Sequence, residues 1–238
     1  MAMDSINSPR NHTFDDRETL ARELAEHIAG ELTQSLDTHG EASLVVSGGS
    51  TPKPLFEHLS QQDLDWSRVT VTLADERWVD ADHEDSNARL VAQHLLQNRA
   101  TGARFVPLVN DAGSPEEGLA ACEERLHAVP HPFDVVVLGM GSDGHTASLF
   151  PGTPTLAEGL DLENPATCLA VHPLDAPHPR MSLTLAALLD SRRLILHITG
   201  EGKWEVYQRA LGEGPEDELP IRGALRHAPT GVDVWWAP

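Results

Sequence analysis

The chain has 238 residues, 40% of them hydrophobic, and no apolar run approaches the roughly 20 residues that a bilayer span requires, so no membrane partner is expected. Its formal charge of −20, from 37 acidic and 17 basic residues, argues against a nucleic-acid surface, because neutralising phosphates takes clustered Lys and Arg. Two cysteines, Cys122 and Cys168, lack CxxC spacing and read as buried thiols, and the polar first dozen residues carry no signal-peptide core, so a cytoplasmic protein is expected.

Residues 1–14 read as a polar tail and 15–238 as a single α/β domain. Leu20, Leu24, Ile28, Leu32 and Leu36 recur every four residues, which predicts a helix over 14–36. Short β-branched and apolar runs then fall at 43–47, 69–74, 104–108, 133–138, 167–171, 194–199 and 232–235. Helix-like stretches lie between most of them, near 54–61, 85–97, 115–128, 182–189 and 201–211. This alternation predicts a mainly parallel sheet with helices on both faces. The continuous run Val135-Val136-Val137-Leu138 fits a strand buried on both sides. The stretches 172–179 and 212–218 read as surface loops. Ligands of such sheets sit beyond the carboxyl ends of the strands, so function is sought just after each strand.

After the first buried strand comes Ser47-Gly48-Gly49-Ser50-Thr51-Pro52, whose Ser50 or Thr51 can cap a helix with Pro52 in its first turn. Such a turn presents backbone N–H groups to an anion, although an ordinary tight β–α turn has the same composition. It is not a P-loop, since no GKS or GKT follows. The next strand ends in Asp75-Glu76-Arg77, either a solvated loop or part of a site, and Asp85-Ser86-Asn87 heads a helix, with Asn87 bracing the loop above it.

The strand at 133–138 runs into Gly139-Met140-Gly141-Ser142-Asp143-Gly144-His145. Gly139, Gly141 and Gly144 satisfy GxGxxG, but Asp143 would put a carboxylate where a pyrophosphate must sit, and Asp161 and Glu163 precede a strand instead of ending one. What remains is a glycine turn presenting one acid and one imidazole, the side chain best placed to act as a base near neutral pH. Two cations follow: Arg180, read as standing just before a helix, and Lys203, just past the strand at 194–199. Lys203 and Lys53 are the only lysines, and on so acidic a chain Arg180 and Lys203 together point to a built cationic pocket. The histidines show no H-E-x-x-H or comparable spacing, so no metal is assigned.

The ordered set SGGSTP, ADERWV with DSN, LGMGSDGHTASLFPGT, PRMSLT and ITGEGKW resembles the 6-phosphogluconolactonases, within the wider group of sugar-phosphate isomerase-like folds that includes the glucosamine-6-phosphate deaminases. The resemblance covers about residues 15–237. It implies hydrolysis of a small phosphorylated sugar lactone, 6-phospho-D-glucono-1,5-lactone, to 6-phosphogluconate, the second step of the oxidative pentose phosphate pathway, without a cofactor. By the same resemblance His145 activates water and Asp143 fixes the site's charge and geometry. Gly48, Gly49, Ser50 and Thr51 line the phosphate end, and Arg77, Arg180 and Lys203 surround the substrate, their division between phosphate and lactone oxygens left open. Lys53 is incidental, and the oligomeric state is left open, a monomer being compatible. The deaminases share the GxDGH turn, and in that reading Asp75 is a proton-transfer base, but they continue as HIAFNEP, with a carboxylate five residues after the His. Here that position is Phe150. A non-catalytic sensor would bring a DNA- or protein-binding module, and no basic helix-turn-helix stretch is present.

Overall fold

In the computed structural model, which describes residues 8–238, the elements in chain order are β1 (Arg10–Thr13), α1 (Arg17–His39), β2 (Ala42–Val46), α2 (Lys53–Leu59), β3 (Val69–Leu73), β4 (Asp75–Arg77), α3 (Asn87–His94), β5 (Arg104–Val106), α4 (Pro115–Leu126), β6 (Phe133–Leu138), α5 (Leu156–Leu160), β7 (Cys168–Val171), β8 (Arg180–Leu183), α6 (Leu185–Leu189), β9 (Ser191–Thr199), α7 (Glu201–Leu211), α8 (Ile221–His227) and β10 (Val232–Ala237). Helix α1 starts where Asp16 accepts the N–H of Thr19 and stops at Gly40, whose φ of 83° costs glycine nothing. Its stripe of leucines is fully buried. No helix among the described residues is long and apolar enough to cross a membrane.

Seven strands form one parallel sheet in the order β1-β10-β9-β6-β2-β3-β5. Every residue of β2, β3 and β6 is buried, which for side chains that alternate between faces requires both faces to be covered. From β2 the chain moves outward to β3 and β5, then returns to the other side of β2 as β6 before continuing to β9 and β10. The order therefore reverses between β2 and β6, the position at which open parallel sheets hold their ligands. Leu44, Val45 and Val46 pair with Val135, Val136 and Val137, so the two glycine-rich turns leave the sheet side by side.

The structure corrects the sequence reading at several points. Positions 10–13 of the expected tail are an edge strand, its register set by the bidentate Arg10–Asp233 pair at 2.7 and 2.8 Å; residues 1–7 of that tail lie outside the described residues. Arg180 does not stand before a helix: 180–183 is strand β8, and the helix begins only after Thr184, which accepts the N–H of Ala187. The run at 167–171 does not join the main sheet. As β7 it pairs with β8, and β8 with β4, in a second, antiparallel sheet of three strands. Neither Ser50 nor Thr51 caps α2; Pro52 occupies that place without a side-chain hydrogen bond, its ring supplying the helical φ of −79°. Both cysteines are free and buried.

Candidate active site

A cavity of about 310 Å³ opens beyond the carboxyl ends of β2 and β6. The 47–52 turn, Asp75, Arg77, Asn87, the 137–141 turn, His145, Ala147, Phe-flanked Arg180, residues 197–199 and Lys203 line it. All the residues expected in the site are therefore brought together except Asp143, which stands behind the lining as the partner of His145.

The turn after β2 is shaped by close approach. A Cβ on Gly48 would lie 1.8 Å from Asn87 Oδ1, so only glycine fits, and Gly49 has a φ of 93°. Asn87 also donates to the carbonyl oxygen of Asp75 at 2.9 Å, tying the turn to β4. Glu76 completes this anchor from within the protein: its carboxylate accepts the N–H groups of Arg77, Asn87 and Ala88 and the hydroxyl of Ser86, although burial pushes its pKa up.

The turn after β6 carries the dyad. His145 Nδ1 lies 2.6 Å from Asp143 Oδ1, and the same oxygen accepts the His145 N–H at 3.2 Å. The hydrogen bond from His145 holds the Asp143 carboxyl down at about 2, so it is ionised and only accepts. The imidazole hydrogen therefore sits on Nδ1, and a neutral ring keeps the lone pair on Nε2. This contact needs Gly141, where a Cβ would lie 2.1 Å from His145 Nδ1 and 2.4 Å from Asp143 Oδ1. The back of the turn is held by the C-terminal segment: Ile221 N–H donates to Gly144 O at 2.9 Å, and a Cβ on Gly144 would strike Leu219 at 2.5 Å. The acidic loop preceding Leu219 is in turn pinned by buried Arg222, which donates to the carbonyls of Arg209, Glu213 and Pro215.

Three cations face the cavity. Arg77 and Arg180 sit opposite one another in the β4–β8 register. Arg77 Nη1 donates to the carbonyl of Asp85 at 2.5 Å, while its buried Nε finds no partner among the described residues. Arg180 is buried, with its guanidinium 5.7 Å above the centre of the Phe150 ring and 4.0 Å from Asp75. Burial lowers its pKa and neighbouring Asp75 opposes that shift. Lys203 Nζ donates to the carbonyl of Met140, and desolvation lowers its pKa against the pull of Asp143. Lys53 is exposed and lies outside the cavity.

Asp75, expected in the site only on the deaminase reading, and His197, which no motif marks, also line the cavity. Asp75 accepts the Ser148 hydroxyl at 2.5 Å. His197, pushed down to about 4 by burial, is neutral at physiological pH. Its signal in the sequence is a lone polar ring near the carboxyl end of the apolar run Leu194-Ile195-Leu196-His197-Ile198.

Comparison with known proteins bears on what this cleft is. The family profile described as glucosamine-6-phosphate isomerases/6-phosphogluconolactonase matches residues 15–236. A 6-phosphogluconolactonase of Rhizobium meliloti is 46% identical over 97% of this chain and all of its own. One of Mesorhizobium japonicum is 46% identical over the whole of both chains. The crystal structure of a 6-phosphogluconolactonase from Shewanella baltica superposes with a TM-score of 0.95 at 48% identity, covering 98% of this chain and 99% of that one. Since these matches span both glycine-rich turns and all three cavity cations, the chain belongs to the glucosamine-6-phosphate isomerase/6-phosphogluconolactonase family.

Proposed function

We propose that the cleft hydrolyses 6-phospho-D-glucono-1,5-lactone to 6-phosphogluconate, with His145 as the base that activates water. The observation that carries this reading is the Asp143–His145 dyad, its free Nε2 at the edge of a cavity with three cations. The substrate pairs a phosphate with a carbonyl that turns into an oxyanion, and both ends call for positive charge. His145 Nε2 takes a proton from water as its oxygen bonds to the lactone carbonyl carbon. Arg77 stabilises the oxyanion. When the carbonyl re-forms, the bond to the ring oxygen breaks, and the imidazolium returns its proton to that oxygen. The phosphate is held by the 48–51 turn with Arg180 and Lys203 nearby, in a cytoplasmic setting. No step requires a cofactor.

Phe150 separates this chemistry from sugar-phosphate deamination. Its ring packs 4.2 Å from that of His145, where a carboxylate would be needed to assist ring opening. Asp75, the remaining acid of the cavity, is engaged by Ser148 and Arg180. The test is acid release from freshly made 6-phosphogluconolactone against its spontaneous opening. His145→Ala should lower kcat by about 10² or more with the fold intact. Ammonia release from glucosamine 6-phosphate without accelerated lactone opening would replace this reading with the deaminase.

A further inference from the structure

His83, Asp85 and His178 each place one side-chain donor atom within 4.8 Å of the other two, the only such group of three among the described residues. Histidine–carboxylate contacts such as His58–Glu18, His94–Glu57 and His172–Glu116 are pairs with no third donor. The three residues come from two segments, the loop after β4 and the loop before β8. His178 Nε2 lies 3.0 Å from Asp85 Oδ2, and His83 Nδ1 lies 3.9 Å from the same oxygen. The imidazole rings meet edge to face with centroids 5.2 Å apart. All three side chains are partly exposed, so an ion from solvent can reach them.

We propose that His83, Asp85 and His178 form a binding site for a borderline divalent transition ion of the Zn²⁺ or Co²⁺ kind, with its remaining positions open to water. Imidazole and carboxylate donors in this number suit such ions better than Ca²⁺ or Mg²⁺, which demand more oxygen ligands. Metal–ligand bonds of about 2.0–2.2 Å place the donors of a tetrahedral ion about 3.3 Å apart. Half-exposed side chains reach that spacing by small rotations. His83 Nδ1 now accepts the N–H of Asp85 at 3.1 Å, and ligation exchanges that contact for a metal bond.

The position gives the ion a lever on the cleft. The main-chain oxygen of Asp85 accepts Arg77 Nη1, and that of His178 accepts Arg180 Nε at 3.3 Å. An ion joining Asp85 to His178 therefore cross-links the backbone supports of two cavity arginines, one on each loop. Sequence spacing hides the site, because 93 positions separate Asp85 from His178 and only the β4–β8 pairing brings their loops together.

The test uses the full chain stripped with a chelator and titrated with Co²⁺. One equivalent should bind with a visible d–d band that Zn²⁺ abolishes, and the thermal midpoint should rise. His83→Ala and His178→Ala should each weaken binding by more than about tenfold, while His172→Ala, at a two-member pair, leaves it unchanged. Circular dichroism of the metal-free variants should match the parent. No band in the parent, or a band of undiminished affinity in both variants, overturns the site and leaves an Asp85–His178 hydrogen bond beside a bystander histidine. The readout is metal binding, so its failure is distinct from failure of the lactonase reading.

Discussion

Replacing Asp143 with Asn tests the dyad without disturbing its shape. The carboxylate is held from an ordinary 3.8 to about 2 chiefly by its bond to His145, which at face value is about 2.4 kcal/mol. Asp143 is 48% exposed, and solvent screening brings the useful part nearer to about 1 kcal/mol, or about fivefold in rate. A second effect is larger. An amide can turn its NH₂ toward Nδ1, and that bond favours the tautomer with hydrogen on Nε2, where the base needs its lone pair. Inverting the tautomer by a further 1–2 kcal/mol multiplies the loss about five- to thirtyfold, as for other oriented histidine bases. The expected result is a kcat reduced by about 10², little change in KM, and an unchanged circular dichroism spectrum. The assay is initial-rate acid release at constant pH with the spontaneous rate subtracted. A kcat within about twofold of the parent would mean that Asp143 neither orients His145 nor stabilises its charged form.

Gly141→Ala should leave the protein folded but lower kcat by more than about tenfold, because its Cβ would occupy the space of the His145–Asp143 contact; retention of full kcat in steady-state assays would contradict the close packing. Lys203→Met should chiefly raise KM for the phosphorylated lactone and barely affect unphosphorylated gluconolactone, and equal losses on both would place Lys203 away from phosphate. His197, at about 4 in the folded protein against 6.5 ordinarily, binds a proton more readily when unfolded, so its contribution disfavours folding increasingly as pH falls from 6.5 to 4. Urea unfolding at pH 7 and pH 5 should show His197→Leu losing about 2 kcal/mol less stability over that interval than the parent; parallel losses would show that His197 does not titrate in the buried position.

The strands at the reversal were legible because 44–46 in β2 and 135–138 in β6 are unbroken apolar runs, and the glycine-rich turns that carry the proposed chemistry follow them directly. Elements defined by tertiary pairing were not. Arg10–Thr13 has no apolar pattern, and its strand exists through the Arg10–Asp233 pair and the stacking of His12 on Trp235 at 4.6 Å. Asp75-Glu76-Arg77 looks like a solvated triplet but has Asp75 and Glu76 buried, their charges met by Ser148, backbone N–H groups and the pairing with β8. The leucines of 182–189 favour a helix, yet Ser182 and Leu183 are claimed by β7 and β4 before Thr184 can start one. His197 is a lone histidine in a strand, with no motif in the sequence to mark it.

The contact of Leu219 and Ile221 with Gly144 makes the last part of the chain a backing plate for the base. Of the acidic residues before it, Glu213 and Asp217 are exposed and their identity is free to drift, whereas Glu216 meets Arg226 and His227 and Glu218 meets Arg222. Through Ile221 the spacing of Arg222 from Gly144 is fixed. A chimera joined at residue 211 would take its dyad from one parent and the support behind it from another, and its turnover would depend on how well the two surfaces mate even where both halves fold. Exposed side chains of the acidic loop can thus change, but its backbone is tied to Arg222, and 219–221, which back the dyad, are a poor place for a splice.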